Sequence, residues 1–122
     1  MPEAEIIEQK TLAALLDSLG GDVDFLKELV DAYLDSTPGL LAAMRQAVAA
    51  GDAAGLQRAA HTLKTGSANM GALALAAQCK GLEEMGKSGA LDGAGERVDA
   101  AAAAYDDVAA ALGDPSLLSG GQ

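Results

Sequence analysis

The chain has a single histidine, His61, placed where an imidazole can react with something outside the chain. Around it, Leu56, Ala60, Leu63, Ser67 and Met70 recur at steps of four and three, which predicts a helix with these residues on one buried face. His61 is turned about 100° from Ala60 and about 200° from Leu63 on such a helix. It therefore falls on the opposite, solvated face with Gln57, Arg58, Lys64, Thr65 and Ala68. An imidazole with an ordinary pKa near ~6.5 keeps a neutral, nucleophilic fraction at physiological pH. Lys64 stands three residues on and shares that face, so an ammonium can lie beside whatever the ring acquires.

Helices must hold this face in place, and the rest of the chain supplies them. A first short helix is expected near Glu5 to Ser18, with Ile6, Leu12, Leu15, Leu16 and Leu19 as its apolar positions. Gly20-Gly21 stops it, and Asp22 is placed to cap the next helix, which carries Phe25, Leu26, Leu29, Val30, Tyr33 and Leu34. Thr37-Pro38 reads as an N-cap followed by proline at the first helical position. Apolar spacing resumes at once through Leu40, Leu41, Met44, Ala47 and Val48, so the stretch reads as one long kinked helix or two nearly coaxial ones. Gly51-Asp52 repeats the stop-and-cap signal before the histidine helix, which runs to about Asn69. After Gly71 a further helix buries Ala72, Leu75, Cys79, Leu82 and Met85 or Gly86. The last, from about Ala94 to Leu112, has Val98, Ala101, Tyr105, Val108 and Leu112 in four-and-three spacing. Short connections between long helices predict an all-α fold, an up-down antiparallel four-helix bundle with an additional short N-terminal helix. The expected division is 1–19 for that helix, 20–113 for the bundle and 114–122 for a flexible tail.

Composition agrees with this and excludes several functions. Alanine, the best helix former, supplies 28 of 122 residues, and strand-like runs are absent. No apolar stretch is long enough to span a membrane, and the acidic N-terminus lacks the basic segment of a signal peptide. The lone Cys79 offers no internal disulfide, which fits a cytoplasmic setting, and reads as a small core residue. A net charge of −10 argues against nucleic acid as a partner. The charge is uneven: residues 1–36 carry −7, residues 37–91 carry +2 and residues 92–122 carry −5. The histidine lies in the one net-positive block, which can attract an acidic partner surface locally.

The segment Ala60-His61-Thr62-Leu63-Lys64, followed by Gly66-Ser67-Ala68 and Gly71-Ala72, resembles the histidine-containing phosphotransfer (HPt) domains of bacterial two-component phosphorelays. Asp52 before it and Leu82-Glu83-Glu84 after it also fit, and the resemblance covers roughly residues 20–112. Where the family often has glycine directly after the lysine, this chain has Thr65, with Gly66 next. The resemblance implies a carrier, not an enzyme. His61 would accept a phosphoryl group from a receiver-domain aspartyl phosphate, as of a hybrid sensor histidine kinase, and pass it to a response regulator. Lys64 would lie near the phosphoryl oxygens, and Glu83 would orient the ring from the adjacent helix. Gln57, Arg58, Thr65, Gly66 and Ala68 would form the partner face. No cofactor is implied for the chain itself, since the Mg²⁺ belongs to the receiver, and a monomer is expected.

Other readings fit less well. A helical adaptor that never carries phosphate leaves the ordered histidine, lysine and small-residue set unexplained. A metal or haem bundle needs further ligands than one histidine. A histidine kinase needs a nucleotide-binding segment, and none is present, so reaction with ATP is not expected. A hydrolase needs a base or second acid placed in a cleft, and none is evident.

Overall fold

The caps written in the sequence set most of the helix boundaries. In the computed structural model, which describes residues 6–113, the helices are α1 (Gln9–Ser18), α2 (Val23–Ala50), α3 (Ala53–Asn69), α4 (Leu73–Ser88) and α5 (Ala94–Leu112). No strand occurs among the described residues, and no helix among them is long and apolar enough to cross a membrane. The expected tail, residues 114–122, lies outside the described residues. Asp22 caps α2 by accepting from the Phe25 amide at 3.1 Å, and Asp52 caps α3 by accepting from the Gly55 amide at 2.9 Å. Gly51 takes the left-handed conformation, φ 69°, that ends α2 and frees the chain to reverse.

Four expectations along the first half are corrected. The first helix begins at Gln9, not near Glu5, because the Glu8 amide is engaged by the Gly71 carbonyl at 2.8 Å. That anchor sets the chain against the α3–α4 turn with Ile7 buried, and Ile6 is the exposed one at 48%. Phe25 is also exposed, at 44%, because the inner line of α2 runs through Leu26, Val30, Tyr33, Thr37, Leu41 and Met44. Thr37 is on that line and is fully buried. It is no N-cap: its hydroxyl donates back to the Tyr33 carbonyl at 2.6 Å, and α2 continues through Pro38 as one helix.

A proline inside a helix removes the amide that would bond the carbonyl four residues earlier. For Pro38 that carbonyl is Leu34, and the Tyr105 hydroxyl of α5 donates to it at 3.1 Å. The Tyr105 ring meets Tyr33 edge-on, with centroids 6.0 Å apart. The Tyr33 and Ser67 hydroxyls bond across α2 and α3 at 2.7 Å. The break expected at residues 36–38 is thus repaired by side chains that also join α2 to α3 and α5.

Helices α2, α3, α4 and α5 pack in a closed cycle, each on the next and α5 back on α2, while α1 rests on α2 and α3. The stripes expected on α3, α4 and α5 are buried as read, from Leu56 and Leu63 to Leu75, Leu82, Val98 and Leu112. Paired residues run in opposed order. Arg45 meets Asp99 while Leu34 meets Tyr105 across α2 and α5, and Ala53 meets Gly86 while Lys64 meets Glu83 across α3 and α4.

The α3–α4 seam is the most extensive contact between helices, and it is close-packed at Gly86. A Cβ added at Gly86 would sit 2.7 Å from the Ala53 carbonyl oxygen and 2.7 Å from the Gln57 nitrogen, both backbone atoms. Gly86 is there for space. Replacing a helical glycine by alanine ordinarily stabilises, but Gly86→Ala must push two helices apart and should destabilise by about 1–3 kcal/mol. Gly39, in α2 with nothing within 4 Å, is the control: Gly39→Ala should stabilise by about 0.5–1 kcal/mol. Urea unfolding of both variants checks the opposite signs. Equal stabilisation would mean that the seam has room.

Candidate functional site

Helix α3 turns Leu56, Ala60, Leu63 and Ser67 inward, which leaves His61 facing outward at the α3–α4 seam. Its side chain is 58% exposed, yet it is not free: Nδ1 lies 2.8 Å from Glu83 Oε2 on α4. The Lys64 ammonium donates to the other oxygen, Glu83 Oε1, at 2.6 Å. Lys87, one turn further along α4, holds its Nζ 3.9 Å from Oε2. Glu83 follows Leu82 on the rim of the buried face of α4, and its side chain is only 7% exposed. One buried carboxylate therefore ties together the histidine and two lysines.

Such a carboxylate survives burial as an anion only when its oxygens are engaged by donors or cations. The Lys64 hydrogen bond holds the Glu83 carboxyl below its ordinary range, and the His61 bond adds to this against the opposing effect of burial. An ionised carboxylate can only accept hydrogen bonds. His61 Nδ1 is then the donor, and the neutral ring carries its lone pair on Nε2, the nitrogen away from Glu83. The pair has the form of a nucleophile whose tautomer is set by a neighbouring acid.

The residues of the expected partner face lie in three places. Arg58 and Thr65 are exposed beside His61, and Ala68 is half-buried further along α3. Gln57 turns toward the seam, where its backbone and Cβ pack on Gly86. Gly66 turns the other way, toward α2, where a Cβ would come within 3.3 Å of the Tyr33 ring. Gly66 edges a shallow groove between α2 and α3 lined by Leu29, Tyr33, Leu40, Thr62 and Met70. Glu83 was expected, from the family resemblance, to orient the ring from the adjacent helix, and its burial is what the apolar pattern did not reveal. Lys87 belongs to the same cluster and was not singled out in the sequence. Its four-residue spacing from Glu83 is the signal that could have found it.

Two other reactive side chains are out of play. Burial pushes the Cys79 thiol and the Tyr33 hydroxyl each up to about 12, so neither ionises near neutrality. Cys79 is fully buried, as its helical position implied.

The arrangement has relatives. The family model described as the Hpt domain matches residues 28–111. Histidine-containing phosphotransfer protein B (HptB) from Pseudomonas aeruginosa PAO1, known from its crystal structure, is 31% identical, with a TM-score of 0.82 over 90% of this chain and 93% of that one. No curated protein sequence matches significantly. On the family match, the shared fold and this identity, the chain belongs to the Hpt domain family and is a histidine phosphotransfer intermediate of phosphorelay signalling.

Proposed function

We propose that His61 is the residue that carries the phosphoryl group and that its Nε2 forms the bond to phosphorus. The observation that carries this reading is the 2.8 Å contact between Nδ1 and the buried Glu83 carboxylate, on a ring that is otherwise open to solvent. In the forward step the Nε2 lone pair attacks the phosphorus of a receiver's aspartyl phosphate in line. The P–O bond to the aspartyl carboxylate breaks, and that carboxylate leaves with its electron pair. No proton need move, because Nδ1 keeps its hydrogen. The ring gains positive charge as the N–P bond forms, and Glu83 stabilises it as the acid of a catalytic triad stabilises an imidazolium. Reversing the step delivers the group to a second receiver.

Lys64 supplies charge to the phosphoryl oxygens by leaving Glu83 Oε1 for them. Mg²⁺, where the chemistry needs it, is held by the receiver. Arg58, Thr65 and Ala68 meet the partner directly. Gln57 sets the seam behind them, and Gly66 opens the groove in which an apolar helix of a receiver can lie. The frame is an up-down antiparallel four-helix bundle over residues 20–113, with residues 1–19 appended, and the opposed order of paired residues along the helices supports it.

His61→Gln should abolish acid-labile phosphate from a phosphorylated receiver while leaving the helical circular dichroism unchanged. ATP alone should label neither protein. Phosphate persisting in His61→Gln would remove the assignment, and a folded wild type that takes up no phosphate from any receiver would favour the adaptor reading.

Glu83→Gln keeps the shape and removes the charge. Transfer should slow by at least about tenfold, because the developing imidazolium loses its counter-charge. The variant should also change the response to acid. Glu83 is held below its ordinary value of 4.5, so its ionised form stabilises the wild type fully above 4.5 and loses that effect as pH falls through the lower native value. Denaturant midpoints between pH 6 and pH 3 should fall more steeply for wild type than for Glu83→Gln. Parallel curves would mean that Glu83 is not held ionised by its neighbours.

A further inference from the structure

Lys87 is the one member of the site cluster without a role in the transfer step. Its Nζ stands 3.9 Å from Glu83 Oε2, within ion-pair range but beyond a hydrogen bond, on a side chain that is 58% exposed. The two Glu83 oxygens are already engaged, Oε1 by Lys64 at 2.6 Å and Oε2 by His61 at 2.8 Å. Lys80 and Arg58, the other nearby cations of α4 and α3, make no ion pair with Glu83. Lys87 is thus held in reserve beside a carboxylate that another lysine occupies.

Phosphorylation would alter that balance. A phosphoryl group places close to two negative charges at the ring. Lys64 and His61 end on the same carboxylate, so a rotation within the Lys64 side chain carries its ammonium from Oε1 to the phosphoryl oxygens. That rotation strips a buried anion of its stronger cation, and an uncompensated buried charge is strongly disfavoured. Lys87 needs to move only about an ångström to reach hydrogen-bond distance, and its long exposed chain is free to do so.

We infer that Lys87 is a positioning residue that takes over Glu83 when Lys64 turns to the phosphoryl group, so that Glu83 keeps its hold on the Nδ1 hydrogen of phosphorylated His61. The inference rests on the reading of His61 as the carrier. Lys87 acts through Glu83 and does not touch the phosphoryl oxygens. In the unphosphorylated protein Lys87 is an exposed lysine 3.9 Å from a carboxylate whose two oxygens are already engaged, so it adds little to stability.

The test is the lifetime of phosphohistidine on the full chain after loading with phosphoramidate, a small donor that needs no receiver. Lys87→Ala should leave the denaturant midpoint of the unphosphorylated protein nearly unchanged and shorten the lifetime by about threefold, the scale of a single ion pair. Lys87→Arg should restore most of it. In a Lys64→Ala background, Glu83 depends on Lys87 both before and after phosphorylation. There Lys87→Ala leaves Glu83 with neither lysine, so it should shorten the lifetime by clearly more than the roughly threefold of the wild-type background, a departure from additivity that marks two groups serving one partner. An equal shortening in both backgrounds would overturn the inference and put Lys87 on the phosphoryl group itself. An unchanged lifetime in the single variant would also overturn it. Wild type that acquires no acid-labile phosphate would instead defeat the reading of His61.

Discussion

One buried carboxylate sets the geometry of this protein's site. Glu83 lies in the α3–α4 seam with its side chain 7% exposed, and its charge is kept there by His61, Lys64 and Lys87. Both of its oxygens are engaged by groups of α3, Oε1 by Lys64 and Oε2 by His61, so the one carboxylate of α4 ties the two helices together at the site. The ion contacts therefore hold the helices in register as much as the helices hold the ions. A solvent-facing histidine would otherwise rotate among several conformers. Here one ring nitrogen is pinned and the other is presented.

The other side of α3 is held just as firmly. Ser67, on the inner line of the same helix as His61, bonds to Tyr33 of α2, and the Tyr33 ring leans on Tyr105 of α5. Tyr105 in turn donates to the carbonyl that Pro38 leaves unpaired. A chain of polar contacts thus runs from α5 through the middle of α2 to α3. It places α3 from behind while Glu83 places His61 from the side. Polar groups buried in this way favour one arrangement over near alternatives, because each loses its partner if a helix slips. Gly86 completes the arrangement by letting α4 approach α3 closely enough for Glu83 to reach the ring.

Much of this was legible in the sequence. The caps at Asp22 and Asp52 and the stop at Gly51 came from residue types with local conformational reasons, and local reasons survive folding. The stripes of α3, α4 and α5 were legible because a regular four-and-three pattern has one inner face. His61 was found outward by the same arithmetic. Thr37 misled because a threonine before a proline is a good N-cap, whereas here its hydroxyl bonds back to Tyr33 and the carbonyl that Pro38 leaves unpaired accepts from Tyr105. Ile6 and Phe25 misled because hydrophobicity marks candidates for burial, while the burial itself depends on where α1 and α2 are anchored. Gln57 shares a helix face with His61 on a wheel and Gly66 stands about 140° from it, but the wheel does not show how closely the neighbouring helices approach on either side. The burial of Glu83 had no sequence signal of its own. It became visible only when α4 was set against α3.

The central claim is that Glu83 fixes the tautomer of His61 so that Nε2 is the reactive nitrogen. Because His61 is the only histidine in the chain, its ring gives one unambiguous set of signals in a long-range ¹H–¹⁵N correlation spectrum. The spectrum should be recorded above the pH at which the ring is neutral, before and after loading with phosphoramidate. The account predicts a proton on Nδ1 and a lone pair on Nε2 before loading, and the phosphoryl group on Nε2 afterwards. A proton on Nε2 in the free protein, or a phosphoryl group on Nδ1, would contradict it.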